Sequence, residues 1–375
     1  MQLILHILNS KYNKIGLLLY ANILNFNMTQ FSQSPSQIAR ILRALEDQFQ
    51  DAKSLLIVLH DNPDPDAIAS GFALKTLAES LWKVRATMAH GGLLGRAENR
   101  TMASLLNIEL KKINSVSFHK FDRIAVVDTF PGRGNVSLPK DLHVHVVFDH
   151  HASKNGSEVD LVIYNSKIGA TATLLCELLI EAKIDLKTDL ATAIAYAIRS
   201  ETQELRREAH KRDVQTYLTV YPLSSLSRLG AISHPILSDV YFRELAIALS
   251  RACKYRNLMY IPLGYVESPE IISEMADFFL RRERISWSLA VGNYNESMYL
   301  SLRTNKRDGR AFRVIQKIVQ NTTDAGGHDQ FAGGRIIPQD AGAEAMMMLE
   351  EEIAERFANV LGVKKAHWKP LIAKL

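Results

Sequence analysis

The sequence predicts an α/β protein: an N-terminal, doubly wound, mostly parallel sheet followed by a smaller C-terminal α/β domain. Three observations carry this. Short apolar runs of strand length alternate with segments of helical periodicity, the pattern of strand-helix-strand units. A stretch punctuated by Pro222, Ser224, Ser225, Ser227 and Pro235 separates two such alternating halves. The 375 residues suffice for two cores of ordinary size.

The elements follow in order. Ile38, Ile41, Leu42, Leu45 and Phe49 recur at helical spacing and predict one amphipathic helix. Ser54-Leu-Leu-Ile-Val-Leu59 reads as a buried strand that stops abruptly at His60-Asp-Asn-Pro-Asp-Pro-Asp66, after which Ala67 to Leu81 is helical. Further strands are expected at Arg85 to Ala89, Arg123 to Val127 and Val144 to Phe148. Helices are expected at Gly169 to Ala182 and Leu190 to Glu208, then a helical or irregular stretch from Lys211 to Cys253. The second half offers strands at Leu258 to Val266, Ser286 to Gly292, Ser297 to Arg303 and Phe331 to Ile337. Its helices are expected at Glu270 to Arg282, Phe312 to Gln320 and Ala341 to Leu361. The expected organisation is an N-terminal extension (1–35), a first domain (36–220), a connecting region (221–255) and a second domain (256–363).

Composition narrows the chemistry. The formal charge of +5 leans towards anionic partners, far less than a dedicated DNA-binding tail would. The two cysteines, Cys176 and Cys253, form no CxxC pair, so neither a disulfide framework nor a thiolate zinc site is expected and a reducing, cytoplasmic setting fits best. Any metal site must therefore use His, Asp and Glu, which favours Mn²⁺, Mg²⁺ or Co²⁺. The apolar run Ile15 to Leu24 falls short of the roughly 20 residues of a membrane span. Met28 opens the polar stretch leading into the first helix and is the expected true start; no membrane partner is expected.

Three predicted strands end in potential metal ligands. Leu59 runs into His60, Asp64 and Asp66; Val127 into Asp128; Phe148 into Asp149, His150 and His151. Carboxyl ends of parallel strands share one edge, where ligands bind in open α/β sheets. Two divalent ions about 3.5–4 Å apart can clamp the attacking and leaving oxygens at a phosphorus centre. Such a pair needs a bridging carboxylate, and Asp128, alone at the middle strand end, is the candidate. Pro63 and Pro65 stiffen the first ligand turn. Read singly, each cluster has a bland alternative: His60 bonded to backbone, Asp64 and Asp66 as turn formers or helix caps. Their coincidence at matching strand ends favours the metal reading.

Taken together, His60-x-x-Pro63-Asp64-x-Asp66, Asp128 and Asp149-His150-His151 resemble the first three motifs of the DHH phosphoesterase superfamily. Gly326-Gly327-His328 with Phe331-Ala-Gly-Gly-Arg335 resembles the glycine-rich signature of its DHH-associated (DHHA1) C-terminal domain. The resemblance spans roughly residues 36–345. It implies that His60 and Asp64 hold one metal, Asp66 and His150 the other, and Asp128 both, with Mn²⁺ the usual ion. It implies that Asp149 supports the site from behind the ligands and that His151 lies near substrate phosphate. Gly326, Gly327, His328 and Arg303 would contact the substrate, in a cleft between the domains.

Departures bear on efficiency and substrate. Glu201 stands where the family's fourth motif usually offers an aspartate to the second metal, Pro65 where glycine is common, and Asp329 follows His328. The function expected is hydrolysis of phosphoester bonds in short oligonucleotides or nucleotides by two-metal activation of water. The alternatives are a RecJ-type single-strand exonuclease, a polyphosphate or pyrophosphate hydrolase, and a catalytically weakened nucleotide-binding regulator. A homodimer is compatible with the sequence. Arg281-Arg282-x-Arg284 reads as a solvated basic face, whereas Lys306-Arg307-x-x-Arg310-x-x-Arg313 is placed to line the substrate cleft. His143 and His145 are assigned no role.

Overall fold

The computed structural model describes residues 35–151, 159–206, 209–320, 325–327 and 329–372. The N-terminal extension up to residue 34 and His328 fall outside them. The chain divides into two compact units, one ending at Pro235 and the other beginning at Ile236.

In the first unit, α1 (Pro35–Phe49) buries Ile38, Leu45 and Phe49, and Phe49 packs on Trp82 with ring centroids 5.4 Å apart. Strand β1 (Ser54–Leu59) follows, then α2 (Pro65–Leu81). Pro65 occupies the first helical position, where its missing N–H removes no helical bond. Asp64 caps the helix, its Oδ1 accepting from the amides of Asp66 (2.9 Å) and Ala67 (3.0 Å). Gly71 lets α2 approach the sheet: a Cβ there would lie 2.6 Å from Met88 Cε and 2.7 Å from Leu59 Cδ2. Next come β2 (Arg85–His90), α3 (Ala97–Leu105), β3 (Lys111–Lys112), β4 (Arg123–Val127), β5 (Val144–Asp149) and β6 (Val159–Tyr164). Helices α4 (Thr171–Glu181), α5 (Thr188–Glu201), α6 (Lys211–Val220) and α7 (Leu226–Ser233) complete the unit.

The six strands lie in the order β3-β2-β1-β4-β5-β6 and every pairing is parallel. The chain winds outwards from β1 in one direction and from β4 in the other, so the switch point lies between β1 and β4. Strands β1 and β4 are nearly continuous apolar runs because both their faces are covered. Register then fixes the site. Leu59 pairs with Val127 and Val127 with Phe148, so His60, Asp128 and Asp149 leave the sheet side by side.

The second unit begins with α8 (Asp239–Arg251), followed by β7 (Cys253–Tyr255), β8 (Leu258–Tyr265), α9 (Glu270–Leu280), β9 (Trp287–Tyr294) and β10 (Ser297–Thr304). It continues through α10 (Ala311–Val319), β11 (Ala325–Gly327), β12 (Phe331–Ile336), α11 (Ala343–Val360) and β13 (Lys369–Pro370). Its sheet runs β11-β12-β10-β9-β8-β7-β13 and is antiparallel except for β8 with β9. Gly327 adopts φ +140°, and a Cβ there would lie 2.4 Å from Phe331 O, so the close approach of β11 to β12 at this position requires glycine.

The expected α/β architecture is present, with differences of detail. The helix expected to reach Glu208 ends at Glu201, where Gln203, Glu204 and Leu205 turn into the left-handed region. Strand β6 was not anticipated, and helix α3 falls between two expected strands without having been given a range; β6 mixes half-buried and exposed residues around one buried Ile163, and α3 buries only Asn99 and Met102.

Candidate metal centre

Each strand-end cluster is held by local structure before it can hold anything else. His60 Nδ1 lies 2.8 Å from Asp61 O, so this nitrogen carries a proton and donates it, leaving Nε2 as the ring atom that faces the carboxylates. Asp61 is itself clamped by Ser137, whose amide (3.1 Å) and hydroxyl (2.7 Å) donate to its two oxygens. Asp66 is fully buried, and its two oxygens accept from the amides of Thr171 (2.6 Å) and Ala172 (2.9 Å). These are orphan donors of the first turn of α4, whose own cap position, Ala170, has no side chain to satisfy them. One carboxylate thus caps a helix more than 100 residues away. Asp128 takes φ +61°, a conformation uncommon for a residue with a Cβ and a mark of backbone shaped for a site. Its amide donates to Phe148 O at 2.8 Å, and Thr171 Oγ1 donates to its Oδ1 at 2.8 Å.

The two oxygens of Asp128 face two histidines. His60 Nε2 lies 3.8 Å from Asp128 Oδ2 and 3.7 Å from Asp64 Oδ2. His150 Nε2 lies 3.5 Å from Asp128 Oδ1 and 3.8 Å from Asp66 Oδ2. Those spacings are at or beyond the limit of a hydrogen bond and leave the donor atoms converging on shared space, as ligands of one ion do. His60, Asp64 and Asp128 form one group able to hold a cation, and Asp128, His150 and His151 a second. His150 Nδ1 faces Ile168 O at 3.3 Å, and its Nε2 is buried without a hydrogen-bond partner among the described residues. A buried, unpartnered nitrogen aimed at two carboxylates is the observation that fits a cation to this cluster.

Electrostatics agree. Burial alone would strip the proton from His60, but Asp64 and Asp128 outweigh it and raise the imidazole to about 9. Burial and the neighbouring Asp64 charge push Asp66 up to about 7, against the amides of Ala172 and Thr171. Asp128 is pushed well above the carboxylate range by burial, then by Asp66 and Asp64. Asp64, despite burial, is held below its usual value by His60. Carboxylates crowded in this way hold a positive charge among them, whether a proton or a metal ion. His150 falls to about 4 through burial and the charge of His151, which keeps it a neutral donor.

Behind the cluster, Asp149 Oδ1 accepts from the amide (3.1 Å) and Nδ1 (2.8 Å) of His151, while Arg133 Nη1 pairs with Oδ2 at 2.9 Å. Burial opposes the charge on Asp149, yet His151 and Arg133 hold its carboxyl below the usual range. The carboxylate in turn raises His151 against its own burial. Glu201, at the end of α5, acts electrostatically on both Asp128 and His151.

The structure therefore brings together His60, Asp64, Asp66, Asp128, Asp149, His150 and His151, with Glu201 near enough to be felt. The remaining expected residues belong to the second unit. Arg303, on β10, is engaged within that unit: its Nε donates to Asp277 (2.8 Å), its Nη1 to Ser301 Oγ (2.9 Å) and Leu302 O (3.1 Å). Gly326 and Gly327 lie exposed on β11, and His328 is outside the described residues. His143, His145 and Asp160 form a separate group on exposed or half-exposed positions; there Ile124 N donates to His145 Nδ1 at 3.1 Å, occupying that lone pair.

Sequence reasoning missed Thr171, Arg133 and the brace behind α4. Asp213 accepts from Gly169 N (2.8 Å) and Thr173 Oγ1 (2.6 Å), while Arg212 forms a buried two-pronged pair with Glu177. A Thr opening a helix carries no signal of a carboxylate 43 positions earlier. Thr171→Val is expected to weaken divalent-ion affinity roughly 10–100-fold, the range for a group that orients a ligand. Titration calorimetry of Thr171→Val beside Thr171→Ser checks this; equal affinity in both would show that the hydroxyl does not matter.

Residues 54–198 match the DHH family, N-terminal domain. An uncharacterized protein from Methanocaldococcus jannaschii is 32% identical over 318 residues, covering 83% of this chain and 65% of its own. A probable manganese-dependent inorganic pyrophosphatase from Enterococcus faecalis is 25% identical over 127 residues, 33% of this chain and 40% of that one. The chain thus spans less than two thirds of the length of these curated relatives. The crystal structure of an exopolyphosphatase-related protein from Bacteroides fragilis shares the fold, with a TM-score of 0.69 at 16% identity, covering 89% of this chain and 99% of that one.

Proposed function

The chain belongs to the DHH superfamily, and from that premise we propose that it is a metal-dependent phosphoester hydrolase acting on short oligonucleotides or nucleotides. The observation carrying the proposal is Asp128, whose Oδ1 and Oδ2 face separate histidine groups, as a carboxylate shared by two ions would. His60, Asp64 and Asp128 would hold one ion, and Asp66, His150 and Asp128 the other, with Glu201 completing the second. Manganese is the proposed ion; imidazole and carboxylate donors suit it, and the Enterococcus faecalis relative is named for it. When bound, such ions supply positive charge that acidifies a water molecule and neutralises phosphate oxygens.

The protein's own residues do the rest. Thr171 and the α4 amides hold Asp128 and Asp66 in place. Asp149, fixed by Arg133, keeps His151 oriented and strengthens its hold on a proton. His151 then offers a donor to a phosphate oxygen while water attacks phosphorus and the bond to the leaving oxygen breaks. Gly326, Gly327, His328 and Arg303 enter the proposal as contacts to substrate phosphate. A second reading, hydrolysis of inorganic pyrophosphate, rests on the name of the Enterococcus faecalis relative.

A hydrolysis panel with Mn²⁺ tests both readings, comparing dinucleotides, longer single strands, 3′-phosphoadenosine 5′-phosphate, pyrophosphate and polyphosphate. Turnover of the first or third is expected, abolished by chelator and restored by Mn²⁺, with about two ions bound per chain. Preferred cleavage of pyrophosphate favours the second reading. Ion binding without turnover of any substrate would mark a nucleotide-binding regulator and sink the enzymatic proposal.

A further inference from the structure

The second unit carries a cavity of about 330 Å³ lined by Lys254, Arg256, Arg282, Arg284, His367 and Lys369, with Glu283 its single acidic lining residue. We propose that this pocket binds consecutive phosphates of a phosphate-bearing chain. The inference is independent of the phosphoesterase reading, since every residue it uses lies in the second unit.

The cations are gathered by the fold. Lys254 on β7 and Lys369 on β13 are directly paired across an antiparallel ladder, an arrangement that places like charges face to face and destabilises the pair. Among the described residues, none of the five Lys and Arg side chains forms an ion pair with a carboxylate. The tail bearing Lys369 is anchored: Trp368 stacks on Phe357 at 6.3 Å and packs beside Tyr260 at 5.9 Å, leaving its neighbours His367 and Lys369 exposed. Arg256 is held over the ring of Tyr255, 5.3 Å from its centroid.

Backbone geometry points the same way. Arg256 (φ +53°) and Arg284 (φ +64°) both occupy the left-handed region, where Gly or Asn would sit at lower cost. Asn257 O accepts from the amides of Ser286 (2.9 Å) and Trp287 (3.2 Å), tying the turn that carries Arg256 to the segment that follows Arg284. Two arginines in left-handed turns, on segments tied through Asn257, line the same cavity as a pair of facing lysines and form a cradle for more than one negative charge. The volume lies at the small end of ligand pockets, which run about 300–1,000 Å³.

The test uses the full chain in chelator, so that nothing is cleaved, with a fluorescent single-stranded oligonucleotide read by anisotropy. Lys254→Gln/Lys369→Gln is expected to weaken binding at least about ten-fold at low salt. It should also flatten the salt dependence by about 1.4, the slope of two lost phosphate contacts on a single strand. Unchanged affinity and slope would overturn the proposal. Inorganic polyphosphate competing as well as unlabelled oligonucleotide identifies the phosphate chain as what is read; competition by oligonucleotide alone assigns the source to nucleic acid. Both outcomes support the site, whereas inorganic phosphate competing equally per phosphorus overturns recognition of a chain. Lys254→Gln alone is expected to raise the melting temperature in low-salt, phosphate-free buffer by relieving the facing charges; a fall would reveal a structural lysine and count against a ligand role. Dinucleotide turnover per metal-loaded chain should be unchanged in the double variant, so failure here and failure of the hydrolase reading are distinguishable.

Discussion

Asp128→Asn abolishes hydrolysis by at least about 10³-fold, beyond the roughly 10–100-fold expected for groups that only orient a ligand. The substitution is nearly isosteric, and Thr171 Oγ1 can still donate to the retained carbonyl oxygen, so the fold is kept. What disappears is the negative charge whose two oxygens face His60 and His150. Calorimetric titration with Mn²⁺ should show the loss of both ions rather than one, because neither group keeps its shared ligand. Measured in chelator, the same variant should melt at a higher temperature than the parent, since one of three crowded, mutually repelling carboxylates has gone. Substantial turnover by purified Asp128→Asn, or retention of two tightly held ions, would remove the basis of the two-ion reading.

The second large effect lies away from the reacting atoms. Glu177→Ala strands the Arg212 guanidinium, which is 4% exposed and bonded through Nε and Nη2 to the two oxygens of Glu177. Removing one partner of a buried pair costs about 3–5 kcal/mol, because the remaining charge is left without compensation. Chemical denaturation should report that loss. Replacing both residues, as Glu177→Leu/Arg212→Met, should recover most of it. If the single and double variants are equally unstable, the pair is only one part of a wider packing defect. The pair fastens α4 to α6, and Asp213, next to Arg212, holds the loop that leads into Thr171.

How far the site was legible follows from the kind of sheet that bears it. Parallel strands covered on both faces are uninterrupted apolar runs, so β1, β4 and the apolar part of β5 stand out, and their shared polarity puts His60, Asp128 and Asp149 at one edge. What sequence could not supply was the approach of segments distant along the chain. Thr171 reaches Asp128, and the amides opening α4 reach Asp66, only because β6 extends the sheet beyond β5. Strand β6 was itself missed, since Val159-Asp-Leu-Val-Ile-Tyr164 is an edge strand with polar and exposed positions. In the second unit, β7 and β13 are too short to show a period. The basic run ending at Arg284 therefore read as an ordinary solvated face until Lys254 and Lys369 were placed opposite one another.

The capping of α4 by Asp66 also sets the order in which the molecule can become competent. A nascent chain that has emerged as far as residue 165 already possesses all three ligand-bearing strand ends. Asp66 at that stage still lacks the amides of Thr171 and Ala172, and burying its carboxylate without them is unfavourable. Ligand geometry is therefore completed by the arrival of a helix from downstream, a late contact of large sequence separation. Truncation ahead of that helix would yield a chain with His60, Asp64, Asp66, Asp128 and His150 and no assembled centre.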